Sequence, residues 1–143
     1  MLRSLRVRDY MLKKPITVKP DADIFEAIHQ ILVNRISGVT VVDDDNRPIG
    51  ILSELDCLRA ILWATYHEEE IGSHPVKDHM TSTVETVSLD EDIIDVAQSM
   101  LEHKRRRRPV VDRHGRMVGQ VTCRQLLRAI KEFEVPPDRK ERR

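Results

Sequence analysis

Shifting the chain by 69 positions lays it on itself without a gap. Residues 7–61 and 76–130 share 18 identities over 55 positions, among them Val7, Asp9 and Met11 on Val76, Asp78 and Met80, Val41-Val42-Asp43 on Val110-Val111-Asp112, Gly50 on Gly119, and Leu58-Arg59-Ala60-Ile61 on Leu127-Arg128-Ala129-Ile130. Coincident amphipathic periodicity does not align single Gly, Asp and Met residues, so the chain is an internal duplication. A unit of roughly 55 residues is small for a core of its own, and two copies that pack together solve that problem.

The local patterns agree between the copies. Ile24, Ala27, Ile28, Ile31 and Leu32 follow the spacing of one helical face, and Ile93, Val96, Ala97, Met100 and Leu101 repeat it. Val39 to Val42 then reads as a strand, Asp43-Asp44-Asp45-Asn46-Arg47 as a turn, and Ile49 to Leu52 as a second strand. In the second copy the strands are Pro109-Val110-Val111 and Met117 to Val121, and Gly115 supplies positive φ to the turn between them. Ser53 and Thr122 sit where a helix N-cap belongs, before Leu55, Leu58, Ile61 and Leu62 or Leu126, Leu127 and Ile130. With a short first strand near Thr17 and Thr86, each copy reads β-α-β-β-α. The expected fold is α/β (α+β): two tandem repeats packed with pseudo-twofold symmetry around a cleft. Repeat 1 with its lead-in covers 1–61, a linker 62–75, repeat 2 76–133, and a polar tail, expected to be mobile, 134–143.

Composition narrows the function classes. The longest apolar run, Ala60 to Ala64, is far short of the roughly 20 residues of a membrane span. The basic N-terminus has no apolar segment behind it, and Cys57 and Cys123 form no redox or metal spacing, so the reading is a cytoplasmic protein without disulfides. Twenty-four basic residues balance 24 acidic ones and aromatics make up 3%, which argues against nucleic acid as the main partner. His67, His74 and His79 match no helical metal-ligand spacing, and no nucleophile and base are set together, so neither a metal site nor catalysis is expected. Met100, Met117 and Trp63 read as core or dimer contacts.

The ordered duplicate of Val-x-Asp-x-Met, helix, Val-Val-Asp turn and Gly-x-x-Ser/Thr helix start resembles a tandem pair of CBS domains, also called a Bateman module, from Val7 to Ile130. The resemblance implies a regulatory module that binds an adenosine-containing small molecule in clefts between its repeats and acts on a partner protein. It also implies a homodimer assembled through the final helices, where Leu58, Leu62, Leu127 and Ile130 would otherwise be exposed.

Within Gly50 to Asp56, a glycine lets a ligand approach the strand, a hydroxyl at a helix start can donate to ribose or phosphate, and a carboxylate one turn later can accept a ribose diol. By resemblance Ser53 and Asp56 are the leading ligand contacts, with Ile51 beside them. Ser53-x-x-Asp56 is equally a relative of the capping box, and the two roles can coexist. In the second copy Gln125 replaces the carboxylate, so Thr122 and Gln125 read foremost as a capping box. The arginine run, Arg105 to Arg108, lies before the strand that starts at Pro109. The resemblance brings Arg105, Arg106 and Arg107 to the cleft of Ser53 and Asp56, with one or two of them inside. Guanidinium groups there favour a phosphorylated ligand, placing AMP, ADP or ATP ahead of S-adenosylmethionine and NAD. Ile36, Ser37 and Gly38, the equivalent segment of the first copy, join Thr122 and Gln125 in a weaker cleft. Ile16 and Glu85 mark the first-strand positions around adenine, and Glu85 departs from the apolar preference there. No cofactor is required. The competing reading is a ligand-free scaffold whose arginine segment contacts nucleic acid or an acidic protein.

Overall fold

The computed structural model describes residues 4–67 and 74–134. The last turn of α2 occupies residues 62–66, while the remainder of the expected linker at 68–73 and the tail at 135–143 lie outside the described residues.

Asp23 and Asp92 begin the first helix of each repeat. Their carboxylates accept the N–H groups of Phe25 at 3.0 Å and Ile94 at 2.7 Å, satisfying a backbone donor that a helix start leaves without a partner. The helices α1 (Ile24–Val33) and α3 (Ile93–Glu102) follow, and each is left through a non-glycine residue in the left-handed region, Arg35 and Lys104. In the first repeat β1 (Thr17–Val18) pairs parallel with β2 (Gly38–Val42), which pairs antiparallel with β3 (Pro48–Ser53). In the second, β4 (Val87–Ser88) pairs parallel with β5 (Arg107–Val111), and β6 (Met117–Thr122) completes the sheet. The final helices are α2 (Glu54–Tyr66) and α4 (Cys123–Glu134). The result is a mixed α+β fold with two three-stranded sheets, as expected.

The turn joining β2 and β3 is closed by Asp43, whose side chain accepts from the N–H groups of Asp45 and Arg47, both at 2.9 Å. Asn46 takes φ +61° there, the place that Gly115 fills with φ +78° in the second repeat. Asn tolerates the left-handed region better than most residues, which explains why one copy works without glycine.

The chain forms two compact units that do not coincide with the repeats. One comprises residues 15–85 and 115–117, the other residues 4–14, 86–114 and 118–134 of the described chain. Each repeat's lead-in, a single 3-10 turn at Val7–Asp9 or Val76–Asp78, belongs to the unit built from the other repeat. Val76 and Met80 pack on the core of Val18, Ile24, Ile31, Val39 and Leu52, and Val7 and Met11 pack on that of Ile93, Val96, Val110 and Val121. A side chain at Gly50 would overlap Met80, and one at Gly119 would overlap Met11, so these glycines are where the Met residues of the lead-ins seat.

Two expectations about the helices and strands need correction, one on the apolar face of the first helices and one on the arginine run. Leu32 and Leu101 are exposed, because the face that meets the sheet is only wide enough for Ile24, Ala27 and Ile31 or Ile93, Val96 and Met100. In α2 Leu58 and Leu62 face out as expected, Leu62 at 68% exposure, with Leu55 beside them, while the small residues Cys57, Ala60 and Ala64 face inward. Helix and sheet approach closely enough that only small side chains fit between them. The arginine run does not precede its strand: β5 begins at Arg107, and Arg108 is buried within it.

Candidate nucleotide site at the start of the final helices

Strand β3 ends at Ser53, whose extended backbone (φ −94°, ψ 167°) turns directly into α2. The Ser53 hydroxyl accepts the Asp56 N–H at 3.2 Å, and the Asp56 carboxylate returns to accept the Ser53 N–H at 2.9 Å. The other carboxylate oxygen accepts from Arg59 at 3.0 Å. Asp56 is 7% exposed, while Arg59 reaches into solvent. A carboxylate held by a backbone donor and a guanidinium has its remaining lone pairs fixed in direction. The Glu54 N–H donates to the Ser37 carbonyl at 2.9 Å, and Gly38 stands opposite Ser53 in the sheet, where a Cβ would lie 2.8 Å from the Leu52 carbonyl oxygen. Ser37, Gly38, Ser53 and Asp56 are thus neighbours in one unit.

The same unit contains the other first-repeat candidates. Ile16 is half-buried against the core one residue before β1, and Ile36 packs on that core. Ile51 is half-buried and exchanges two backbone hydrogen bonds with Thr81, at 2.9 and 2.8 Å. Glu85 is half-buried and precedes β4, not within it.

The second unit repeats the geometry with different chemistry. Gln125 accepts the Thr122 N–H at 2.9 Å and the Thr122 hydroxyl accepts the Gln125 N–H at 3.2 Å, the capping box expected there. The Cys123 N–H donates to the Arg106 carbonyl at 3.0 Å, joining the arginine segment to this helix start. Arg105 and Arg106 are exposed, Arg107 is half-buried, and Arg108 is 5% exposed.

Two groups near the first box have displaced pKa values. Burial, then the charges of Asp56 and Glu54, push the Cys57 thiol up to about 11, so it stays protonated. Burial and the neighbouring His74 lower the pKa of His79, against the opposing fields of Asp78 and Asp56. Among the described residues no three His, Cys, Asp or Glu side chains gather to hold a metal ion, and no helix is long and apolar enough to cross a membrane. Arg59 was legible as a partner for Asp56 from its i+3 spacing on a helix, but the proximity of His79 was not, because it comes from the exchanged lead-in.

The family model for the CBS domain matches residues 7–62 and 76–132. The chain belongs to the CBS-domain family. It is a tandem pair, similar to an uncharacterized protein of Methanocaldococcus jannaschii (35% identity over 124 residues, 87% of this chain and 42% of that protein). An uncharacterized 17.7 kDa protein of Acidianus ambivalens is 30% identical over 87% of this chain and 73% of its own length. Inosine-5'-monophosphate dehydrogenase of Aquifex aeolicus is 31% identical, but the match spans only 23% of that enzyme. The chain thus covers less than half of the first and third of these relatives. Among solved structures, CBSX2 in complex with AMP superposes with a TM-score of 0.80 at 27% identity, covering 92% of this chain and 100% of that one. A CBS domain pair in complex with 5'-methylthioadenosine and S-adenosyl-L-methionine does so at 0.77 and 27%, covering 90% and 98%.

Proposed function

We propose that this CBS pair is a regulatory module that binds an adenine nucleotide, AMP, ADP or ATP, and converts occupancy into a change of conformation or of affinity for a partner protein. Asp56 carries the proposal: a buried carboxylate, already oriented by the Ser53 N–H and Arg59, stands beside a helix-start hydroxyl that lies opposite the side-chain-free Gly38 of β2. The similar pairs solved with AMP and with S-adenosyl-L-methionine support an adenosine moiety. Ser53 and Asp56 contact the ribose and Ile51 flanks the base, with Glu85 beside it. Arg105, Arg106 and Arg107 supply phosphate contacts, which favours a phosphorylated ligand over S-adenosylmethionine or NAD. Ile16, Ile36, Ser37, Gly38, Thr122 and Gln125 form the weaker site, because Gln125 lacks a carboxylate. The protein works without catalysis, in the cytoplasm, as a homodimer whose final helices cover the exposed Leu58, Leu62 and Leu127 and the half-buried Ile130.

The test is thermal unfolding with and without AMP, ADP, ATP, NAD and S-adenosylmethionine, since a ligand of the native state raises Tm. Asp56→Asn keeps an oxygen for the Ser53 N–H and so preserves the cap. It is expected to weaken the stabilising nucleotide at least about tenfold by calorimetry, the equivalent of one lost charge-assisted bond. No shift with any ligand at about millimolar concentration, where even weak binding registers, favours the second reading, a scaffold. The observation behind that reading is the exposed Lys104-Arg105-Arg106 segment beside a box without a carboxylate.

A further inference from the structure

The two lead-ins are fastened by the same backbone bonds. In the second, the N–H groups of Val76 and Lys77 donate to the carbonyls of Ala22 at 2.8 Å and Pro20 at 2.9 Å, and Ile24 donates to the His74 carbonyl at 3.0 Å. In the first, Val7, Arg8 and Ile93 donate to Glu91, Leu89 and Leu5 at 3.0, 3.0 and 2.7 Å, and Leu12 and Gln120 pair as Thr81 and Ile51 do. The side chains differ. Where the first lead-in has Leu5 and Tyr10, the second has His74 and His79, and where α4 has Glu132, α2 has Trp63.

These residues form one cluster. The rings of His74 and His79 lie 5.3 Å apart, and Trp63 meets His74 edge-on at 5.5 Å and His67 at 4.4 Å. The Nε2 atom of His79 is buried and has no hydrogen-bond partner among the described residues. A proton arriving there charges a partly desolvated ring beside a second imidazole. The charged and titratable groups that face His79 are His74 and Asp78 of the lead-in and Asp56 of α2. The two carboxylates offset only part of the penalty, and Asp56 is already bonded to Arg59.

We propose that Trp63, His74 and His79 form a pH-sensitive latch, which holds residues 74–81 docked while His79 is neutral and releases them when it is protonated. A docked pKa below the ordinary value of 6.5 means that docking is fully stable above about pH 6.5 and weakens as the pH falls toward the lowered value. Release frees Thr81 from Ile51 and removes His79 from Asp56, so the change reaches the helix start that carries the candidate site.

Amide hydrogen exchange of the full chain, corrected for the pH dependence of chemical exchange, tests the latch at about pH 7.5 and about pH 5.5, on either side of imidazole titration. Protection of Val76, Lys77 and Thr81 is expected to fall by up to about tenfold between the two pH values, the ceiling set by the single unit that separates pH 5.5 from the free value of 6.5. Val7, Arg8 and Leu12 serve as the internal reference and keep theirs. The double variant His74→Leu, His79→Tyr installs the first lead-in's own residues and is expected to abolish the pH dependence. Parallel loss in both lead-ins, or undiminished pH dependence in that variant, overturns the proposal. Should the variant not fold, NMR titration of His79 in the natural protein decides: a midpoint below about 6.5 supports the latch, and one at or above it refutes it.

Discussion

Val39 and Arg108 occupy the same place in equivalent strands, 69 residues apart, yet one is a fully buried apolar side chain and the other a buried cation. Gly38 and Arg107 differ in the same way one position earlier, and Asp56 and Gln125 three residues into the final helix boxes. The backbone around all three pairs is the same: strand limits, capping boxes and left-handed residues recur in register. Duplication has preserved the hydrogen-bonding frame while the side chains at the strand starts and helix starts have diverged. The first unit keeps a carboxylate and small residues at its box, and the second collects arginines and a neutral amide. A frame fixed by backbone bonds tolerates such divergence because its own donors and acceptors are satisfied whichever side chain is present.

The sharpest way to break this comparison is to exchange the strand residues. Val39→Arg places a cation in a wholly apolar site and is expected to cost more than about 4 kcal/mol in urea unfolding. Arg108→Met, of similar volume, keeps the packing but removes one side of a partly buried polar contact, and is expected to cost less, about 2 kcal/mol. Equal losses would mean that the surroundings of Arg108 depend on its charge, and that the two units differ in frame as well as in side chains.

Next in size are the seats of the lead-ins. Gly119→Val is expected to cost about 3 kcal/mol, because the new Cβ meets the Leu12 carbonyl, a backbone atom fixed by its bond to Gln120. Gly50→Val meets only the Met80 side chain, which can swing away, and is expected to cost about 1 kcal/mol. A reversed order in the urea midpoints would show that the second lead-in is held more rigidly than the first.

Smaller effects belong to the helix starts. Ser53→Ala and Thr122→Ala each remove one accepted N–H bond, and each is expected to cost about 1 kcal/mol. A cost at Ser53 well above that at Thr122 would indicate that the hydroxyl also organises Asp56. The gentlest comparison leaves the fold untouched: at about pH 8 iodoacetamide is expected to modify exposed Cys123 on the order of a hundredfold faster than Cys57. Comparable rates by mass spectrometry would show that α2 opens readily.

Much of this was legible beforehand. The capping box at Thr122 and Gln125 and the turn at Gly115 are short-range devices, with their parts within a few residues of one another. The outward place of Leu58 and Leu62 was legible and so was the charge of the arginines, but that Cys57 turns inward and that Arg108 goes inside was not. Leu58 and Cys57 are adjacent and both apolar. The close approach of helix and sheet selects the smaller, a distance that no local pattern states. The left-handed residues Arg35 and Lys104 also escaped notice, since neither is the glycine or asparagine that usually marks such a place.

By itself the amino-acid sequence determined the duplication, the order of strands and helices, and the boxes that start α2 and α4, because hydrophobic period and capping chemistry act between near neighbours. Only the tertiary structure decided that each lead-in seats on the other repeat's core, that Arg108 goes inside, and that His79 lies in the electrostatic field of Asp56. Those outcomes depend on which apolar surfaces cover one another across tens of residues, and burial free energy, being non-directional, leaves no local mark of the partner it will choose.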